Sequence, residues 1–328
     1  MAKSNRRVNI IADSCCDLPC DLFKSLGIGL LRFPYLINGV EYFDDMYETS
    51  TPHQFFERLR KGEEAKTAQI PYVQILEMFE KAAQEPLPTV VFSFSSGLSG
   101  NCETMKQACA ETLEKHPGAE LYVVDTLLPS IAEGFLVWEA VRQADRGLSA
   151  KELVAWAEEA RYFVNGYFTI PDFETLKRGG RIPDIAAMAG ATLDIKPIIT
   201  IDLEGRLKLF AAARGRKKSI KLMLQLYEER ARDVDPNVVI VASADATKEL
   251  KQMTEQLLKK KASTPPAIIS SSVGPVIGAH VGPDMMVLVF WGPDRRESVS
   301  LTDKIANAVT SRSDSIRARI RGYEKENE

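Results

Sequence analysis

Apolar residues in this chain fall into two kinds of run. Short apolar runs at residues 8–12 (broken only by Asn9), 90–92, 121–124, 238–242 and 285–291 read as buried strands. Other stretches repeat apolar residues at helical spacing: Ile75, Phe79 and Ala82; Met105, Ala108 and Cys109; Ile131, Phe135 and Trp138. The two kinds alternate through the first half, which predicts a parallel or mostly parallel sheet. Asp17 before Leu18-Pro19 reads as a helix cap with proline in the first turn. Asn38-Gly39 is a hairpin signal, and residues 65–71 show no period and read as a loop. Thr51-Pro52 opens a short helix through Phe55, Phe56 and Leu59.

Gly147-Leu148-Ser149 interrupts this rhythm, and Ser149 with Glu152 forms a capping box for the stripe of Leu153, Trp156, Ala157 and Ala160. Beyond it the pattern changes. Leu207, Leu209 and Ala211 alternate with Arg206 and Lys208, so residues 206–213 read as a strand with one solvated face. Across Glu204-Gly205 they pair with residues 194–202 as a hairpin. Helical stripes through Ile220, Met223, Leu224 and Tyr227, and through Leu250, Met253 and Leu257, complete an α+β pattern. The expected division is an α/β domain over 1–160, an α+β domain over 161–299 and a charged helix over 300–328.

Composition narrows the function classes. The 328 residues are 45% hydrophobic and 27% charged, enough to build cores without staples, and the net charge of −3 argues against nucleic acid as a partner. Five cysteines without a C-x-x-C pair point to neither a zinc site nor a disulfide framework, and a reducing cytoplasm is the expected compartment. The first apolar run breaks at Asp13, too early for a signal peptide, and no run approaches the roughly 20 residues of a membrane span.

Four stretches carry candidate chemistry. The first is the turn from Ser93 to Gly100, which follows a strand and opens a helix. Its hydroxyls and free N–H groups suit an anionic oxygen, and they equally suit a plain turn and cap. The others are Thr67-Ala68-Gln69, the Arg178-Gly179-Gly180-Arg181 segment, and residues 274–283 around His280. Glycines flank His280 on both sides, which reads as a loop that lets backbone approach a ligand. Ser96 with His280 is a weak match to a hydrolase pair, since the turn lacks the Gly-x-Ser-x-Gly elbow. Neither the P-loop nor the Gly-x-Gly-x-x-Gly pattern is present.

Taken in order, Ile10-Ile11-Ala12-Asp13-Ser14, Thr67-Ala68-Gln69, Ser95-Ser96-Gly97-Leu98-Ser99-Gly100, Arg178-Gly179-Gly180-Arg181-Ile182, Lys196-Pro197-Ile198-Ile199 and Gly278-Ala279-His280-Val281-Gly282-Pro283 resemble the DegV family of bacterial fatty-acid-binding proteins. The resemblance spans roughly Val8 to Gly292. It implies a two-domain α/β protein with a long-chain fatty acid held in a tunnel between the domains, and no other cofactor or metal. It places the carboxylate on Thr67, Ser95 or Ser96, and His280, with Gly97 and Arg214 nearby, and Arg178, Arg181 and Arg216 facing a partner. That partner would be an ATP-dependent fatty acid kinase subunit, to which this chain, itself no enzyme, presents the carboxylate for acyl-phosphate formation. The chain departs from the family loop at Ala68 and Ile70, and Asp284 stands where glycine is common. Two rival readings are a serine-type lipid esterase using Ser96 and His280, and a carrier of another amphipathic acid.

Overall fold

The first apolar run forms β1 (Asn9–Asp13), which pairs in parallel with β2 (Gly29–Leu31) on one side and β6 (Thr89–Ser93) on the other. A computed structural model describes residues 6–171, 173–181, 194–232, 237–259 and 266–297. β6 continues in parallel to β7 (Leu121–Asp125), giving the order β2-β1-β6-β7. Every residue of β6 is buried, as a strand covered on both faces requires. The helices of this half are α1 (Cys20–Ser25), α2 (Pro52–Arg60), α3 (Tyr72–Ala83), α4 (Asn101–Lys115), α5 (Ile131–Asp145) and α6 (Ala150–Ala160). The predicted capping box forms at Ser149, which opens α6 with Glu152, and Thr51, the predicted start of α2, forms a second one with Gln54.

A small antiparallel sheet rides on this half, ordered β4-β3-β5 from β3 (Pro34–Ile37), β4 (Val40–Phe43) and β5 (Ala65–Thr67). β5 corrects the expected loop at 65–71. Three residues are too few to show a period, and pairing with the edge of β3 makes the strand, with Thr67 opposite Tyr35.

The second half is a six-stranded sheet ordered β10-β9-β8-β13-β11-β12. Its strands are β8 (Val164–Thr169), β9 (Ile195–Ile201), β10 (Leu207–Arg214), β11 (Val238–Ser243), β12 (Ala267–Ser272) and β13 (Met286–Trp291). Within this sheet only the β11–β12 pair is parallel among the described pairings. The helices are α7 (Glu174–Gly179), α8 (Arg216–Arg230), α9 (Thr247–Lys259) and α10 (Pro275–Val281).

α5 binds the two halves into one core. It packs on the turn at residues 14–16 and on β8, β11 and β13, with Phe135 edge-on to Trp291 at 5.0 Å between ring centroids. Gly134 permits that approach, since a Cβ there would stand 2.3 Å from the Cys16 carbonyl oxygen.

Three further expectations are corrected. Residues 275–281 are helical rather than a loop, and Gly278 is there because Phe55 and Phe56 press within 3 Å of where its Cβ would stand. The Gly179-Gly180 pair reads as setting Arg178 and Arg181 on a turn, but Arg178 and Gly179 belong to α7, which Gly180 ends in a left-handed conformation. Asp17 does not cap α1, whose N-cap is Pro19 without a side-chain bond. The helix expected over 300–328 lies outside the described residues. Among the described residues no helix is long and apolar enough to cross a membrane.

Candidate functional site

A cavity of about 280 Å³ lies between the two sheets. One end is polar. Thr67 reaches it from the end of β5, Ser99 and Gly100 from the serine turn, Arg181 from just past α7, and His280 from α10. The body is apolar, walled by Phe33, Phe94, Phe168, Ile201, Val287 and Val289. Cys15, Ser130, Ala132 and Gly166 also line it. The strands supply inward side chains at every second position, which is why Gly166 and Phe168, and Val287 and Val289, share the wall.

The polar end is organised around His280. Its Nε2 lies 2.8 Å from Thr67 Oγ1, a hydrogen bond joining β5 to α10. Its Nδ1 is buried and has no hydrogen-bond partner among the described residues. That nitrogen faces Gly179, where a Cβ would come within 2.4 Å of it, so the glycine of α7 is a space requirement of the imidazole. Burial, with the Arg181 guanidinium adding to it, holds the imidazole pKa down from 6.5 to about 4. His280 is therefore neutral at physiological pH. In the tautomer with the proton on Nε2, Thr67 Oγ1 accepts it and directs its own O–H elsewhere. Arg181 gives one N–H to the Gly179 carbonyl at 2.6 Å and its Nε–H to the Leu98 carbonyl at 3.4 Å. It is a fixed positive charge beside the neutral Thr67–His280 pair, whose outward donor is the Thr67 O–H, and this suits an anionic headgroup.

Other candidates lie elsewhere. Ser95 is buried, but its hydroxyl donates to the Gly205 carbonyl at 2.7 Å and accepts the Gly97 N–H at 3.2 Å. Gly97 packs beneath the tip of the β9–β10 hairpin, with Glu204 O only 2.3 Å from where its Cβ would be. The Ser-Gly composition of this turn therefore serves the seating of that hairpin. Ser96 is exposed, with its N–H on Asp125, and it does not line the cavity. Arg214 and Arg178 are exposed and do not line it either, whereas Arg181, expected at a partner surface, does. Arg216 is half-buried and donates to the Asp284 carbonyl at 2.5 Å. Asp284 itself adopts a positive φ of 65° and accepts from Arg60 of α2 at 2.9 Å.

Two rival chemistries find less support. A hydrolase needs an acid to orient the base, and the His280 Nδ1 has none. A cluster with metal-ligand side chains, His53, Glu57 and Asp245, surrounds the Arg60 guanidinium, which bonds Glu57 at 2.9 Å and Asp245 at 2.6 Å. That cation already neutralises the site.

Sequence reasoning passed over Ser99, Ser130, Ala132 and Gly166 as site residues. Ser99 belongs to the Ser95–Gly100 turn; the others carry no local signal, because their neighbours come from distant strands.

A family model described as an uncharacterised protein of the DegV family matches residues 7–292. A DegV domain-containing protein of Clostridium perfringens is 34% identical over 283 residues, covering 86% of this chain and 97% of that protein. Among solved structures, a DegV family protein from Thermus thermophilus, described by its fatty acid binding, matches with a TM-score of 0.75 at 26% identity over 87% of this chain and 99% of that one. A DegV lipid binding protein from Thermotoga maritima matches with a TM-score of 0.72 at 26% identity, over 88% of this chain and 99% of that one.

Proposed function

The chain belongs to the DegV family, and from that premise we propose that it carries a long-chain fatty acid in the cavity between its two sheets. The observation that carries this reading is the joining of an apolar cavity to a polar end built on Thr67, His280 and Arg181. The acyl chain lies along the Phe and Val walls. Each buried methylene contributes about 0.8 kcal/mol, so a chain of about fifteen gains ~12 kcal/mol before the costs of association. The carboxylate would lose several kcal/mol on leaving water unless hydrogen-bonded. The Thr67 O–H, turned outward by its bond with His280, and the Arg181 charge offset that loss.

The further step is presentation of the carboxylate to a separate ATP-dependent kinase subunit, which makes the acyl phosphate. Neutral donors leave the carboxylate oxygen available as a nucleophile. Arg178, Arg214, Lys217 and Lys218 are exposed and supply positive charge for a partner carrying a triphosphate. In this reading the chain is a carrier and the chemistry is the partner's. Acyl-hydroxamate formation with a cognate kinase subunit and ATP tests this step. Acyl phosphate appearing only when both proteins are present supports it, and none appearing from lipid-loaded protein removes it.

A further inference from the structure

We propose that Asp17 is a positioning residue for the polar end of the cavity: its buried carboxyl anchors the start of α10 across the two halves and so sets where His280 stands. This deepens the fatty-acid reading, on which the functional consequence rests. The anchor itself can be tested without a ligand.

Asp17 is 3% exposed and sits in a left-handed turn at φ 50°. Its Oδ1 accepts the Gly274 N–H at 3.0 Å, and its Oδ2 accepts Ser130 Oγ at 2.5 Å. Its backbone carbonyl accepts Ser271 Oγ at 2.5 Å. Tyr47 adds a bond from its hydroxyl to the Val273 carbonyl at 2.9 Å. The linker from β12 into α10 is therefore held to the first half at Ser271, Val273 and Gly274. Gly274 has φ −69°, which any residue adopts, so its glycine is not a backbone need. The need is steric, since a Cβ there would stand 2.5 Å from Asp17 Oδ1.

α10 is seven residues long, and His280 is its sixth. At 1.5 Å per residue the histidine stands roughly 8 Å from the anchored end. A tilt of about 10° there moves the imidazole by more than ~1 Å, enough to break a hydrogen bond of ordinary length. The Thr67–His280 bond of 2.8 Å thus depends on a contact made a helix away. Ser130 ties the same carboxyl to the cavity wall, because Ser130 lines it. An apolar side chain at position 17 would cost less to bury, but it could not accept from Gly274.

The test follows the imidazole of His280 by NMR titration in Asp17→Ala, Asp17→Asn and Gly274→Ala, with fatty-acid affinity measured in parallel. Only three histidines are present, which keeps assignment simple. Asp17→Asn keeps an acceptor for Gly274 and should titrate like the wild type, near 4. Asp17→Ala should move the His280 titration up toward 6.5 and weaken binding about tenfold or more. Gly274→Ala should do the same by pushing the anchor apart, and it serves alone if Asp17→Ala does not fold. A His280 titration unmoved in folded Asp17→Ala or Gly274→Ala overturns the proposal, as does Asp17→Asn behaving like Asp17→Ala. If the wild type binds no fatty acid, the functional reading fails while the titration still decides the anchor.

Discussion

The Thr67 hydroxyl lies 2.8 Å from His280 Nε2, and this contact joins the edge strand of the small sheet to a short helix of the second half. Two segments more than two hundred residues apart meet at the polar end of an apolar cavity. The pair gives that end a donor, the Thr67 O–H, which His280 orients, and Arg181 gives it charge.

Thr67→Val and His280→Gln should each weaken fatty-acid binding. The loss of a hydrogen bond to a charged group costs ~1.5–3 kcal/mol. Thr67→Ser, which keeps the hydroxyl, should bind almost as the wild type does. Titration with a fluorescent fatty acid measures this, and wild-type affinity in Thr67→Val would exclude the hydroxyl from the headgroup site.

Ser95→Ala and Ser96→Ala should separate. Ser95 fastens the serine turn to the β9–β10 hairpin, so its loss should lower the thermal midpoint, with about 1 kcal/mol at stake. Ser96 is exposed and outside the cavity, so Ser96→Ala should leave lipid binding unchanged and abolish no ester hydrolysis. A weak esterase activity that disappears in Ser96→Ala would favour the hydrolase reading instead.

Gly166→Ala should narrow the cavity without harming the fold. A Cβ at Gly166 would meet Val289, Ala132 and Ile201 at 3.5–3.9 Å, ordinary contact distances, and the residue lines the cavity wall. Co-purified lipid should shift to shorter chains or fall in amount, at an unchanged thermal midpoint. An identical lipid profile would mean the chain runs elsewhere.

The pH dependence of stability has two opposed parts. Burial raises the Asp44 carboxyl from 3.8 to about 7, so the folded state holds a proton that the unfolded chain has released. That contribution is full below about 3.8 and is lost as the pH rises through 7. His280 is lowered from 6.5 to about 4, so its contribution is present above 6.5 and is lost as the pH falls toward 4. Relative to the wild type, Asp44→Asn should gain stability as the pH rises from about 4 to 7 and change little above that, and His280→Gln should gain as the pH falls from about 7 to 4.5. Differences in thermal midpoint that do not change with pH would contradict both assignments.

Much of the fold was legible because it rests on local pattern. β6 is centred on an unbroken apolar run, Val90 to Phe92, because both its faces are covered, and Thr51-Pro52 and the Ser149 capping box mark helix starts by chemistry within four residues. The site was legible in part. Thr67 and His280 stood in motifs, and the structure brings them together. What misled were the glycines. Around His280 they suggested a loop, yet Gly278 answers to Phe55 and Phe56, and Gly179 answers to the imidazole itself. Tertiary close approach and loop freedom leave the same letter in a sequence. Asp17 and Ser130 were out of reach for a related reason, since their partners, Gly274 and each other, are fixed only by how the halves meet.

The most direct measurement is mass spectrometry of the organic extract of purified protein, run on the wild type and on Thr67→Val with His280→Gln combined. The account predicts a long-chain fatty acid in near one-to-one ratio with the wild type and a clear loss from the folded double variant. An empty wild type, or a fatty acid retained at full occupancy in the double variant, would contradict it.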